Sequence, residues 1–263
     1  MTILRRTVAK LRDKDWTAVA IELVVVIAGV FLGVQAANWN AGREQERKSV
    51  VFTERLETDL RAEAWNIEMQ IGYHQQVQAN ARRAADALSG QDALSDEALL
   101  VAAFRATQYN DNVRQRATYD ELTSTGELGL VRDNALRKLA MNVYTTHVFD
   151  WFTDEGRASP YRDAFRKRVP YRVQDALETA CGDRPVPVGD YAGIAAKLDY
   201  PCRIDAPPAM IAGAATVLRG DPEILQLLNQ RVVDIGTNVG NLTFYDADSM
   251  RGKMRAIARQ AAP

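Results

Sequence analysis

Between Trp16 and Trp39 the chain reads WTAVAIELVVVIAGVFLGVQAANW, and within it Leu23 to Val34 is an unbroken apolar run. From Ala18 to Ala37 only Glu22 and Gln35 are strongly polar. A helix needs about 20 such residues to cross a hydrocarbon core, and indole rings favour the headgroup level at either edge. The segment predicts a membrane-spanning helix over residues 17–39 with Trp16 and Trp39 as interface anchors. Residues 1–16 then form a short tail and 40–263 a soluble domain. Two other readings stay open. A cleaved signal peptide would use the same apolar run and the small residues around Val34-Gln35-Ala36, although Glu22 just before the run and Trp39 just after the cut suit an anchor better. A buried core helix would need the polar flanking helices to wrap around it.

The tail carries Arg5, Arg6, Lys10, Arg12 and Lys14 against Asp13 and Asp15, whereas the far flank mixes Arg43, Arg47 and Lys48 with Glu44 and Glu46. Positive residues stay on the cytoplasmic side. In a cell with two membranes this places the span in the inner membrane, the N-terminus in the cytoplasm and the C-terminal domain in the periplasm. Cys181 and Cys202 flank a loop rich in turn formers (Gly182, Pro185, Pro187, Gly189, Pro201). A periplasmic location permits them to pair as a disulfide closing the loop 181–202; two unrelated buried thiols are the alternative.

At 100° per residue, Glu22, Gly29, Gly33, Ala36 and Asn40 fall close to one line along the span, with Ala18 beside them. Gly29 and Gly33 make a Gly-x-x-x-Gly pair, which lets two helix backbones approach in a membrane; glycine is also simply common in such helices. A carboxyl in the apolar zone costs a few kcal/mol unless it is paired, neutralised or near the headgroups. The face therefore predicts contact with another membrane protein or a second copy of the chain, beside the membrane lipid, while snorkelling of Glu22 to the interface is the plainer reading.

Beyond the span, Arg43 to Leu88 holds no proline, and Phe52, Leu56, Leu60, Ile67, Ile71, Ala81, Ala85 and Leu88 recur at helical spacing. Ser89-Gly90 reads as the stop. Ser95 starts a helix over 96–107, Asn110-Asp111-Asn112 is a turn, and Ala117 to Ser124 precedes a corner at Gly126 and Gly129. Asp133 caps a helix predicted over 134–153. Short helices around Pro170 and over 209–219 follow. Asp221-Pro222 opens a long last helix, to about Gln260, with Leu225, Leu228, Val232, Ile235, Val239, Leu242, Met250, Met254 and Ile257 on one face. The expected fold class is mainly α: a transmembrane helix continuing into a helical bundle with two long antiparallel helices.

One stretch runs from Ile21-Glu22-Leu23-Val24-Val25-Val26 through Gly29 to Gln35 and Asn38-Trp39-Asn40. A second runs from Tyr119-Asp120-Glu121-Leu122-Thr123-Ser124-Thr125-Gly126 through Leu130-Val131 to Leu136 and Tyr144. Together they resemble a family of uncharacterised single-span bacterial membrane proteins. The resemblance covers about a third of the chain and implies an anchored, helical, extracytoplasmic domain without an assigned activity. Ala36-Ala37 departs from the bulkier or amidic residues usual there, and the cysteine loop has no counterpart.

Chemistry is sparse in the residues themselves. Lys and Arg (33) balance Asp and Glu (34), for a net charge of -1, so there is no electrostatic footprint for nucleic acid. The two histidines, His74 on the first long helix and His147 on a middle one, lack metal-ligand spacing, and no phosphate loop or nucleophile elbow is present. No cofactor, metal or catalytic residue is expected. Tyr161, Arg162, Arg166, Lys167, Arg168, Tyr171 and Arg172 form a basic-aromatic cluster that reads as an amphipathic helix surface or, less simply, a face for anions or lipid headgroups. The expected function is that of an interaction or scaffold protein, an accessory subunit or homo-oligomer, rather than an enzyme. The alternative is a ligand-sensing bundle that signals through a partner.

Overall fold

The computed structural model describes residues 16–111, 113–147, 149–243 and 250–260, without the side chains of residues 16–19, 250, 251, 258 and 260. The basic tail, Trp16 and Ala18 as side chains, Asn112 and the middle of the predicted last helix thus lie outside the described residues. The chain divides into two compact units, one of residues up to Thr53 with Gly129–Arg132, the other of Glu54–Leu128 with Asp133–Pro263.

Helix α1 runs from Trp16 to Leu88 without a break. No proline occurs in this range, so each residue after the first turn can donate to the preceding turn. In the first unit, Ser49 donates its hydroxyl to the Leu130 carbonyl at 2.6 Å, and Arg132 pairs with Glu46. Val131 is fully buried there.

The second unit is a helical bundle; no strand occurs among the described residues. Helix α1 ends in a left-handed glycine, Gly90 at φ 79°. Its amide reaches the Ala87 carbonyl while Gln91 reaches back to Asp86, which satisfies carbonyls the helix end would orphan. The next helices are α2 (Asp96–Ala106), α3 (Ala117–Ser124), α4 (Asn134–Thr145), α5 (Trp151–Arg157), α6 (Pro160–Arg168) and α7 (Tyr171–Cys181). Then come α8 (Pro208–Gly220), α9 (Pro222–Thr243) and α10 (Met250–Gln260). Ser95, Asp133 and Asp221 each accept backbone N–H groups of the helix they precede, as caps do. The main core is built from Leu99, Phe104, Phe165, Leu177, Leu218 and Leu228 with the alanines 81, 84 and 85 of α1. Small residues on α1 let the shorter helices close in on it.

One expectation changes. The helix predicted over 134–153 stops at Thr145, and Thr146 is extended, so His147 lies in a connection rather than on a helix. The buried positions Leu136, Leu139, Ala140, Val143 and Tyr144 would continue in phase to residues 147, 150 and 151. The apolar pair Phe149 and Phe152 is out of that phase, and the break turns both rings into the core, where they are buried. The predicted last helix is described as α9 and α10, with residues 244–249 outside the described part. Chain direction is antiparallel to α1: Gln78 meets the Val232 carbonyl at 2.8 Å, and the earlier Glu68 meets the later Arg255 at 2.7 Å.

Candidate functional site

Starting at Ala20, α1 is the one helix among the described residues long and apolar enough to cross a membrane, and none of its apolar window is buried. Leu23, Val26, Ile27, Phe31 and Leu32 are all more than half exposed. That exposure gives the reading as a core helix no support. Because α1 is unbroken, Glu22, Gly29, Gly33, Ala36 and Asn40 do share a line, all of them exposed. A Cβ at Gly29 or Gly33 would meet nothing within 4 Å. Trp39 is 66% exposed, with the Arg43 guanidinium 4.9 Å from its ring centroid.

Cys181 and Cys202 are joined, with Cα atoms 5.4 Å apart. Arg105 of α2, buried beside them, donates to the Tyr200 carbonyl at 2.8 Å and to the Cys181 carbonyl at 3.4 Å. Burial lowers its pKa, opposed by Tyr200 and Asp199. From α1, the Gln76 amide grips the same loop. Its nitrogen donates to Ile194 at 2.9 Å, and its oxygen accepts from Leu198 at 3.1 Å and Asp199 at 2.9 Å. Gly72, the sole glycine between Arg43 and Leu88, lies under Ile194, whose Cγ2 would stand 2.6 Å from an added Cβ. The loop and this edge of α1 border a groove of about 780 Å³.

Deeper in the bundle α1 carries a row of buried polar groups. Glu63 accepts from Arg114 Nε at 3.0 Å and from the Gln115 amide; burial raises its pKa despite the guanidinium. Gln70 donates to the Asn110 carbonyl at 3.3 Å. His74 lies stacked on Phe152 at 3.9 Å between centroids, its Nδ1 2.7 Å from the Gln70 carbonyl. That contact requires the proton on Nδ1, leaving Nε2 an acceptor without a protein partner. Burial pushes the ring down to about 3, so it is neutral at ordinary pH. From α9, Arg231 reaches the carbonyls of Ala106 at 3.2 Å and Gln108 at 2.9 Å and pairs with Glu155, whose pKa burial raises. These groups hold loop backbone that would otherwise be buried unpaired.

His147 is exposed and apart from His74, and among the described residues no cluster of three or more His, Cys, Asp or Glu has metal-binding geometry. The basic-aromatic cluster divides. Tyr161 is buried and donates to the Ala103 carbonyl at 2.8 Å, Arg162 covers Tyr109 at 4.5 Å, and Arg168 pairs with Asp221 and Glu223. Arg166, Lys167, Tyr171 and Arg172 remain at the surface.

Sequence reasoning passed over Glu63, Gln70, Gln76, Arg105 and Arg231. A signal existed for three of them: Glu63 and Gln70 fall in the same helical phase as Leu56, Leu60 and Ile67, and Arg231 in that of Leu228 and Ile235. A polar residue on an apolar stripe is a buried polar residue by position.

Neither a curated protein nor a solved structure matches the chain. A family model, the Family of unknown function (DUF6090), matches residues 22–155, just over half of the chain. The match begins inside the apolar stretch, takes in the buried polar row of α1 and ends in α5, before the cysteine loop. On this match, the chain belongs to the Family of unknown function (DUF6090).

Proposed function

We propose that the protein is a single-pass inner-membrane protein of a bacterium, its N-terminus cytoplasmic and its helical domain periplasmic, that acts as an interaction or scaffold subunit rather than as an enzyme. The observation that carries this reading is the fully exposed apolar window at the start of α1. Transferring that much apolar side chain from water is worth roughly 1.5–3 kcal/mol per fully buried large residue, and within the described chain only a bilayer or another protein can supply the cover. The disulfide supports an oxidising compartment, and the basic tail supports the orientation. The Glu22–Ile21 region, Gly29, Gln35 and Asn38-Trp39-Asn40 are the residues by which family members would share the anchor.

Open space beside Gly29 and Gly33 suits a second helix approaching on that face, from a larger membrane assembly or another copy. The test is fractionation of cells expressing the full chain, followed by N-terminal sequencing of the mature protein and a mild-detergent pull-down of wild type against Gly29→Leu/Gly33→Leu. Retention in membranes through an alkaline wash, an intact N-terminus and a partner lost in the double variant are expected. A mature chain beginning at Ala37, or recovery in the aqueous fraction, overturns the anchor; an unchanged set of co-purifying proteins overturns the helix-contact role.

A further inference from the structure

Between Glu22 and Arg43 the chain carries no Asp, Glu, Lys or Arg. Helix α1 runs through this stretch unbroken, so the two charged residues stand about 31 Å apart along the axis at 1.5 Å per residue. A hydrocarbon core is about 30 Å thick. The charge-free length therefore matches the layer that excludes charge, and it puts Glu22 and Arg43 at opposite headgroup levels. A carboxylate there needs no partner helix, because the cost of a charge falls away at the edge of the apolar zone.

Arg43 is unlike the charges that follow it. Glu44 pairs with Arg47 and Glu46 with Arg132, and at Ser49 the helix meets the Leu130 carbonyl. Arg43 has no ion pair or hydrogen bond among the described residues; its guanidinium lies 4.9 Å from the centroid of the Trp39 ring, within cation–π range. Trp39 is four residues before it and Asn40 three, so both are its neighbours on the helix surface. All three are exposed, and among the described residues neither the indole N–H nor the Asn40 amide has a hydrogen-bond partner. Indole and guanidinium supply donors only, and the Asn40 amide supplies two more. A guanidinium held on an aromatic face keeps its N–H edge for an oxyanion, and phosphate takes that edge through two parallel bonds.

We infer that Trp39, Asn40 and Arg43 bind the phosphodiester of a phospholipid in the leaflet on their side of the span, and that this contact fixes the depth at which α1 crosses. The inference rests on the membrane anchor proposed above and adds to it a ligand and a register. The ligand is the lipid rather than free phosphate, because the three residues adjoin the exposed apolar window, whose side chains would meet the acyl chains of the same molecule.

The full chain is purified in a phosphate-free neutral detergent and titrated with phosphatidylglycerol, phosphatidylcholine and diacylglycerol, bound lipid being counted by native mass spectrometry. Both phospholipids are expected to bind and diacylglycerol is not. Glycerophosphoglycerol, the headgroup without acyl chains, should not displace them at equal concentration. Arg43→Gln should weaken the tightest site about tenfold, as loss of a charge-assisted hydrogen bond does. Arg47→Gln, whose charge is already paired with Glu44, should change it by roughly twofold or less. Both positions are exposed, so the Tm should hold in either variant. Equal binding of diacylglycerol, displacement by the free headgroup, or equal losses in Arg43→Gln and Arg47→Gln overturns the site while leaving the anchor in place. A full chain recovered in the aqueous fraction of cells removes the anchor and the site with it.

Discussion

The two ends of α1 solve opposite problems with one backbone. Over residues 20–37 the helix turns apolar side chains outward to nothing in the described chain. Over residues 56–85 it turns both apolar and polar ones inward, and Glu63, Gln70 and His74 are as buried as Leu56 and Leu60. In the first stretch composition alone dictates the environment, because about 20 apolar residues in sequence have few uses. In the second, composition misleads. The polar groups there answer the backbone of loops that arrive from tens of residues away, such as Asn110, Gln115 and Ile194, and such needs exist only once the chain has folded.

That contrast breaks most visibly at Arg231. Arg231→Met leaves Glu155 and the carbonyls of Ala106 and Gln108 without their donor, and losing one member of a buried pair typically costs about 3–5 kcal/mol. Chemical denaturation of the full chain should show a loss of that order; a loss under 1 kcal/mol would mean that the buried polar groups are ornamental. Replacing Cys181 and Cys202 together by serine should cost roughly 3 kcal/mol for a loop of this length, read as the same denaturation midpoint shift, and reducing agent should reproduce it in the wild type.

His74 gives the pH arm of the comparison. Burial holds its ring at about 3, against 6.5 for an unperturbed imidazole, so as pH falls the unfolded chain takes up the proton first. The stabilisation is complete above about 6.5 and declines as pH falls toward 3, by up to about 1.4 kcal/mol per pH unit. In His74→Phe that slope should flatten across the window, while the wild type keeps it; parallel profiles would refute the assignment. The smallest pair of effects sharpens the contrast itself. Gly72→Ala pushes a methyl against Ile194 and should cost about 1 kcal/mol or more, whereas Gly29→Ala, with open space beside it, should leave domain unfolding unchanged.

Much of the architecture could be read in advance where the signals are local. The stop at Gly90 follows from a glycine's backbone freedom, and the caps Ser95, Asp133 and Asp221 from side chains acting on backbone within four residues. The pairing of Cys181 with Cys202 followed from a turn-rich loop between two lone cysteines. The helix expected to run past Thr145 failed for a reason that is also visible: Phe149 and Phe152 are out of phase with Leu136 and Tyr144, a mismatch that 3.6-residue spacing reports once it is counted. The grip of Gln76, the cover of Ile194 over Gly72 and the reach of Arg105 under the cysteine loop involve partners more than 75 residues apart in sequence. Nothing near either partner announces them.

Gln76 is also a restriction on exchange. Its amide is a donor to the Ile194 carbonyl and an acceptor to the Leu198 and Asp199 amides, and among common side chains glutamate would lack the hydrogens, lysine the lone pairs and methionine both. Loop and helix are thus matched by polarity as well as by shape. Anyone grafting this loop onto another scaffold would have to transplant that amide, with a glycine one turn before it, or the guest would arrive without its fastening.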